Sequence, residues 1–318
     1  MVEAMTVALI IDGWRIENWE NAVRKVAPSR RVNVWPDRME DADEVRYALV
    51  WRPPHNSLAS LPHLEVIFNL GAGVDHILAD PTLPDLPLVR VVLDDMTMRM
   101  SEYVVWQVLY HHRQGPFMAA NQQKGLWQPM DQWAASAMRV GIMGLGALGE
   151  DAARKLAVLG FQVNGWSRSP KSIEGITCYS GADGLDDFLA RTDILVVLLP
   201  LTADTRGILN AGLFRKLAKD GPLGGPVVIN AGRGGLQVEA DIFKCLETGD
   251  LHAVSLDVFE HEPLPASSPL WHHPGVTLTP HIAGDSDPRS IVTYIFAQIA
   301  RYEAGEPLAN VIDRARGY

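Results

Sequence analysis

Three residue types that together could protonate a ketone oxygen occur just beyond three short apolar runs. Arg233 follows the run 227–230 in Asn230-Ala231-Gly232-Arg233-Gly234, and Glu262 follows 253–257 in Asp257-Val258-Phe259-Glu260-His261-Glu262-Pro263. His281 follows 276–278 in Thr279-Pro280-His281-Ile282-Ala283-Gly284. An imidazolium can give a proton to a developing alkoxide near neutral pH. A carboxylate beside it favours the charged form and fixes the ring. A guanidinium can hold a substrate carboxylate through two parallel N–H donors and polarise the adjacent carbonyl. Taken singly, ordinary alternatives stand: His281 as a satisfied loop histidine, Glu262 as a solvated acid, Arg233 as a surface cation. The position of all three just past strand-like runs favours chemistry, because a doubly wound sheet binds ligands beyond the carboxyl ends of its strands.

A second constellation could hold a dinucleotide. Gly144-Leu145-Gly146-Ala147-Leu148-Gly149 directly follows the run 139–143 and precedes a helical pattern over 151–159. A glycine triplet alone could be a bare tight turn, but between a strand and a helix it lets pyrophosphate approach the helix N-terminal amides. An NAD enzyme usually carries a carboxylate for the ribose 2′-hydroxyl at the end of the next strand. Here that position reads Trp166-Ser167-Arg168-Ser169-Pro170-Lys171, without an acid. A guanidinium would pair with a 2′-phosphate where a carboxylate would repel it, so NADPH is expected over NADH, a solvated basic loop being the alternative. Ser167, Arg168, Ser169 and Lys171 are the candidate 2′-phosphate contacts. Leu199, Pro200 and Ala231, at the ends of later runs, are further candidate cofactor positions.

The elements needed to position these groups are legible as alternation. From Arg139 onward the apolar runs 140–143, 162–166, 194–199, 227–230, 253–257 and 276–279 alternate with helix-like segments, which indicates a parallel sheet wrapped by helices. Before it, the runs 7–11, 48–51, 66–69 and 88–93 are joined by turns rich in Pro and Gly and point to a second α/β unit. Residues 102–112 read as a linking helix, and 291–303 as a closing helix that returns to the first unit. The expected fold class is α/β with two doubly wound parallel-sheet domains, a Rossmann coenzyme domain inserted in a flavodoxin-like substrate domain. The expected boundaries are 1–100 with 286–318, and 101–285.

Bulk properties exclude several function classes. A length of 318 residues suits two domains, and 47% hydrophobic with 21% charged residues is the composition of a globular protein. A formal charge of −10 disfavours nucleic acid and anionic membrane surfaces as partners. Cys178 and Cys245 have neither metal-ligand spacing nor a disulfide framework, so no metal is expected and Cys245 reads as a small core residue. With no basic stretch before its first apolar run and no apolar run long enough to span a bilayer, the chain is expected to be cytosolic.

The glycine fingerprint, Asn-Ala-Gly-Arg-Gly, Asp-Val-Phe-x-x-Glu-Pro-Leu-Pro and Thr-Pro-His-Ile-Ala occur in an order that resembles the D-isomer-specific 2-hydroxyacid dehydrogenase family, over essentially the whole chain. Val50-Trp51-Arg52-Pro53-Pro54, Leu70-Gly71-Ala72-Gly73-Val74-Asp75 and the terminal Asp313-Arg314-Ala315-Arg316-Gly317-Tyr318 look like its glyoxylate/hydroxypyruvate reductase A group. The resemblance implies NADPH-dependent reduction of small 2-oxo acids such as glyoxylate and hydroxypyruvate. It implies that Arg233 binds substrate, His281 is the acid/base and Glu262 its partner. It also implies that the amides of Ala72 and Gly73 hold the substrate carboxylate and that Asp257 contacts the nicotinamide amide. By residue type alone, 70–74 could be a glycine turn, Asp257 a strand-end cap and Trp51 a core residue instead of a substrate contact. Arg52 stands where the group carries histidine, which could favour a second anionic group on the substrate. Family members form homodimers, and 121–133, with Trp127 and Trp133, looks like the arm that crosses to the partner. A nucleotide-sensing protein of the same fold could carry the same three residues.

Overall fold

The computed structural model describes residues 6–317. The chain divides into two compact units, Met1–Met96 with Ser286–Tyr318, and Thr97–Asp285.

The first unit is a five-stranded parallel sheet. Its strands are β1 (Thr6–Ile11), β2 (Val32–Val34), β3 (Val45–Trp51), β4 (Val66–Asn69) and β5 (Leu88–Val89), in the spatial order β2-β1-β3-β4-β5. Helices α1 (Ile16–Val26) and α2 (Asp75–Leu78) belong to the same unit. Parallel strands covered on both faces read as continuous apolar runs, and alternate residues serve opposite layers. Val7 and Leu9 of β1, Tyr47 and Leu49 of β3 and Phe68 of β4 pack with Trp19 and Val23 of α1 in one cluster. Ala8, Ile10, Ala48, Val50 and Ile67 pack with Leu58, Leu61 and Ile77 in the other.

The 88–93 run yields only a two-residue strand. The amide of Val91 turns to the carbonyl of Gly71, and a helix begins at Asp94. This helix, α3 (Asp94–His112), is longer than its expected span because Asp94 and Asp95 form an acidic first turn that complements the helix dipole.

In the second unit, α4 (Gly115–Gln123) precedes β6 (Arg139–Met143), α5 (Ala147–Val158), β7 (Gln162–Ser167), β8 (Thr177–Ser180) and α6 (Leu185–Ala190). There follow β9 (Ile194–Val197), α7 (Ala211–Phe214), β10 (Val227–Asn230), α8 (Glu239–Thr248), β11 (Ala253–Leu256) and β12 (Val276–Leu278). All seven strands are parallel, in the order β12-β11-β10-β9-β6-β7-β8. The chain builds outward from β6 to β8, returns to lay β9 on the other side of β6, and builds outward again. The β6/β9 boundary is therefore a topological switch point, where such sheets open a crevice at their carboxyl ends.

One face of this sheet packs Val140, Ile142, Val196 and Ile229 against Ala152 and Leu156 of α5 and Val104 and Val108 of α3. The other packs Leu195, Val197, Val228 and Val254 against Phe214 and against Ile242, Cys245 and Leu246 of α8. Cys245 is thus a core residue. Strand β8 escaped the sequence reading because Thr-Cys-Tyr-Ser on a half-exposed edge leaves no apolar run.

The chain closes with α9 (Pro288–Glu303), which belongs to the first unit. It starts where Asp287 accepts a hydrogen bond from the Ser290 amide, with Pro288 in its first turn. Ile291, Ile295 and Ile299, spaced four apart, join the β1–β3–β4 core. Among the described residues no helix is long and apolar enough to cross a membrane.

Candidate active site

The carboxyl end of β11 organises the loop that carries His281. Asp257, immediately past β11 and 1% exposed, accepts hydrogen bonds on Oδ1 from the Thr279 hydroxyl (2.7 Å) and the Ile282 amide (2.9 Å). Its Oδ2 accepts from the Ala283 amide (2.9 Å), and its carbonyl from the His281 amide (2.8 Å). Asp257, named above as a candidate nicotinamide contact, also caps residues 279–283. The clamp holds His281 at φ +55°, in the left-handed region that costs a residue with a Cβ roughly 1–2 kcal/mol. That conformation is sustained because four hydrogen-bonding groups tie the loop to Asp257 on both sides of it.

So held, the His281 ring presents Nδ1 to Glu262 Oε2 at 2.8 Å, with the two side chains 30% and 17% exposed. The other oxygen, Oε1, accepts from the Phe259 amide at 3.2 Å. The carboxylate therefore faces a fixed donor on each side. The ring nitrogen not engaged by Glu262 is Nε2, the one able to exchange a proton with a bound molecule.

Arg233 lies past β10 on a loop pressed against the Glu262 loop. A Cβ at Gly234 would fall 1.7 Å from the Phe259 carbonyl oxygen, so only glycine permits this approach of the two backbones. Asn230 orders the loop by accepting from the Gly232 amide (3.1 Å) and donating to the Arg233 carbonyl (3.1 Å) and to Gln237 (2.8 Å). Gln237 in turn donates to the Val258 carbonyl at 3.0 Å. Glu239 and Glu260 exchange a reciprocal pair, each carboxylate accepting from the other's amide at 2.7 Å. Arg233 is half-buried, and its Nη1 donates to the Gly232 carbonyl at 2.8 Å. The structure thus joins His281 to Glu262 directly, and the Arg233 loop to the Glu262 loop through the close backbone approach at Gly234 and the side chains of Gln237, Glu239 and Glu260. Gln237, Glu239 and Glu260 were not singled out by sequence, because their roles depend on which loops the fold apposes.

The glycine turn sits at the switch point. Gly144, at φ +115°, passes so close to β9 that a Cβ would meet the Leu198 carbonyl at 2.8 Å. A Cβ at Gly149 would strike the Gly144 carbonyl at 1.8 Å, whereas one at Gly146 would meet nothing within 4 Å. Gly144 and Gly149 serve packing, and Gly146 leaves open space above the N-terminus of α5. That terminus has no side-chain cap, and its first amides, those of Ala147, Leu148 and Gly149, have no partner among the described residues. Uncapped amides under open space suit a pyrophosphate. At the end of β7, Ser167 is buried and donates to the Ser169 carbonyl at 2.8 Å, while Arg168, Ser169 and Lys171 are exposed. Leu199 and Ala231 have side chains in the core, which leaves their backbone to meet a ligand, whereas Pro200 is half-buried and its carbonyl accepts from the Thr205 hydroxyl.

In the first unit, the end of β4 forms a comparable amide turn. Asn69 donates to the carbonyls of Gly71 (2.7 Å) and Gly73 (2.9 Å). The half-buried amides of Ala72 and Gly73 have no protein acceptor among the described residues, which suits a carboxylate. A Cβ at Gly71 would lie 2.6 Å from the Trp51 ring, which explains that glycine. Trp51, 8% exposed, stacks on Trp14 with ring centres 4.3 Å apart. Arg52, at φ +47°, places its guanidinium 5.9 Å from the Trp51 ring centre, a cation–π distance.

Known proteins share the sequence and fold of this chain. The profile of the D-isomer specific 2-hydroxyacid dehydrogenase NAD binding domain matches residues 105–283. A glyoxylate/hydroxypyruvate reductase A of Salmonella newport is 42% identical over 306 residues, which cover 94% of this chain and 96% of the relative. The crystal structure of an NADPH-dependent glyoxylate/hydroxypyruvate reductase from Sinorhizobium meliloti, in complex with NADP and sulfate, matches with a TM-score of 0.94 at 50% identity, covering 98% of this chain and 99% of that one. A D-isomer specific 2-hydroxyacid dehydrogenase from Xanthobacter autotrophicus in complex with NADPH and MES matches with a TM-score of 0.92 at 40% identity, covering 99% and 100% of the two chains. On its sequence and its fold alike, the chain belongs to the D-isomer specific 2-hydroxyacid dehydrogenase family, a family of oxidoreductases.

Proposed function

We propose that this protein reduces small 2-oxo acids with NADPH, converting glyoxylate to glycolate and hydroxypyruvate to D-glycerate. The observation that carries this reading is the 2.8 Å contact between His281 Nδ1 and Glu262 Oε2 on the strand-end face that also bears the glycine turn. Its coenzyme and substrates are those named for the similar proteins from Sinorhizobium and Salmonella.

The residues present fit the coenzyme. Ala147, Leu148 and Gly149 would hold its pyrophosphate, and Arg168 with Ser169 and Lys171 its 2′-phosphate, in a segment free of carboxylates that would repel one. NADPH supplies the hydride. Glu262 keeps the His281 ring oriented, so that Nε2 can deliver a proton to the substrate oxygen as charge develops there. Arg233 is assigned the substrate carboxylate and the polarisation of its ketone. Within the first unit, the amides of Ala72 and Gly73, with Trp51 and Arg52, are assigned to substrate contact on the strength of the family resemblance.

The reading extends to a homodimer formed through residues 121–133, supported by the exposure of Leu126 (53%) and Trp127 (97%), which is costly in water. Sedimentation of the purified protein tests it, a monomer at micromolar concentration counting against.

Loss of absorbance at the reduced-nicotinamide band, measured over a panel of 2-oxo acids with NADPH and with NADH, tests the activity. Turnover with glyoxylate and hydroxypyruvate, faster with NADPH, is expected. Coenzyme binding with no oxidation across the panel would favour a nucleotide sensor.

A further inference from the structure

The clamp on the His281 loop does not end at Asp257. The Thr279 hydroxyl donates to Asp257 Oδ1 at 2.7 Å, so its single proton is committed, and the Tyr103 hydroxyl 2.8 Å away can only donate to the Thr279 oxygen. Proton positions along this chain are therefore set by chemistry: Tyr103 O–H to Thr279 Oγ1, and Thr279 O–H to the Asp257 carboxylate. All three residues are buried, at 6%, 8% and 1% exposure. Burial also pushes the Tyr103 phenol above its ordinary range, so the donor stays protonated at any working pH. Tyr103 is on α3 and Thr279 lies two residues before His281, both within the second unit. A buried carboxylate that lost one of its donors would be under-satisfied and free to release the loop it organises.

We propose that Tyr103 and Thr279 are positioning residues for the reaction, a directed hydroxyl pair that keeps the Asp257 clamp complete and so holds His281 in its left-handed conformation with Nδ1 on Glu262. Neither residue touches the reacting atoms. Their effect is on the fraction of molecules whose imidazole is aligned and carries its neutral-state proton on Nδ1. Alignment is worth a great deal here, because a displacement of about 1 Å in a catalytic group can cost roughly 10²-fold in rate. The backbone strain at His281 gives the loop a reason to leave once the clamp weakens.

The proposal rests on the reading of His281 as the acid/base, and its test separates the two. Variants Thr279→Val, Thr279→Ser, Tyr103→Phe and the Tyr103→Phe/Thr279→Val double are compared with wild type in two ways. The first is steady-state kinetics with glyoxylate and NADPH. The second is a long-range proton–nitrogen spectrum of protein labelled with 15N-histidine, at about pH 9 where an imidazole is neutral, which reports the ring nitrogen that carries the proton. The His281 signals are assigned by their loss in His281→Gln.

Thr279→Val is expected to lower kcat about 10-fold with an NADPH Kd within about twofold of wild type, and Tyr103→Phe about 3-fold. Both shift His281 from a single Nδ1–H tautomer to a mixture. Thr279→Ser, which keeps the hydroxyl, is expected to restore both readouts. The double variant should be no slower than Thr279→Val, because Tyr103 acts only through Thr279. If Thr279→Val does not fold, Tyr103→Phe and Thr279→Ser decide alone.

Wild-type kcat and an unmixed tautomer in Tyr103→Phe and Thr279→Val would overturn the proposal, as would losses that multiply in the double variant. A wild type inactive on every 2-oxo acid, yet with tautomer mixing in the variants, would overturn the functional reading and leave the positioning role standing.

Discussion

His281 Nδ1 lies 2.8 Å from Glu262 Oε2 although the two residues sit on loops past different strands, β12 and β11. The carboxylate is anchored on its far side by the Phe259 amide and the imidazole by the Asp257 carbonyl acting on its backbone, so each member of the pair is fixed independently of the other.

That independence makes the pair separable by substitution. Glu262→Gln should preserve an acceptor for Nδ1–H while removing the carboxylate charge beside the ring. We expect kcat to fall about 10- to 100-fold with NADPH affinity unchanged, and His281→Ala to lose about 10²–10⁴. Steady-state kinetics and coenzyme fluorescence titration measure the two quantities. Near-normal turnover in His281→Ala would remove the acid/base role.

Coenzyme preference is expected to reside in the β7–β8 connection. Arg168→Asp should raise the KM for NADPH about 10- to 100-fold, the scale of a lost charge-assisted contact plus a new repulsion, and change that for NADH far less. Equal losses with both coenzymes would place the 2′-phosphate elsewhere.

Gly234 carries a prediction about stability. Because a Cβ would stand 1.7 Å from the Phe259 carbonyl oxygen, Gly234→Ala must push the β10 and β11 loops apart. A loss of roughly 2–3 kcal/mol is expected, seen as a lowered denaturation midpoint, together with a drop in kcat as Arg233 and Glu262 separate. An alanine variant of unchanged midpoint and rate would mean the loops tolerate separation.

Acid sensitivity should come in part from His111. It is buried (4% exposed), with Nε2 2.7 Å from the Ser255 hydroxyl, and burial, helped by nearby His252, lowers its pKa to about 4. The native state therefore keeps His111 neutral, while the unfolded chain takes up a proton below its ordinary value of 6.5. Stability from this group is complete above about pH 6.5 and is lost as pH falls toward 4, by about 3 kcal/mol in all. His112 and His252, also lowered by burial, act in the same direction. Denaturant unfolding from pH 7 to 4 should show a shallower decline in His111→Gln than in wild type, and parallel declines would exclude His111 as a contributor.

Much of this protein was determined by sequence alone. Strands β4 and β10 coincide with the runs 66–69 and 227–230, because a strand buried on both faces is predominantly apolar. The turn at Gly144 was legible because its backbone geometry is local and excludes a side chain. His281, Glu262 and Arg233 could be singled out because each stands just beyond such a run, where ligands meet a doubly wound sheet. The tertiary structure alone decided how these groups are held. Tyr103 meets Thr279 across 176 positions, and Gly234 meets the Phe259 carbonyl across two strand ends. Asp257 is turned toward four groups of the following loop. Periodicity records which face of an element is buried, but it does not record which buried donor will find which acceptor. That pairing is set by the distances at which distant segments pack.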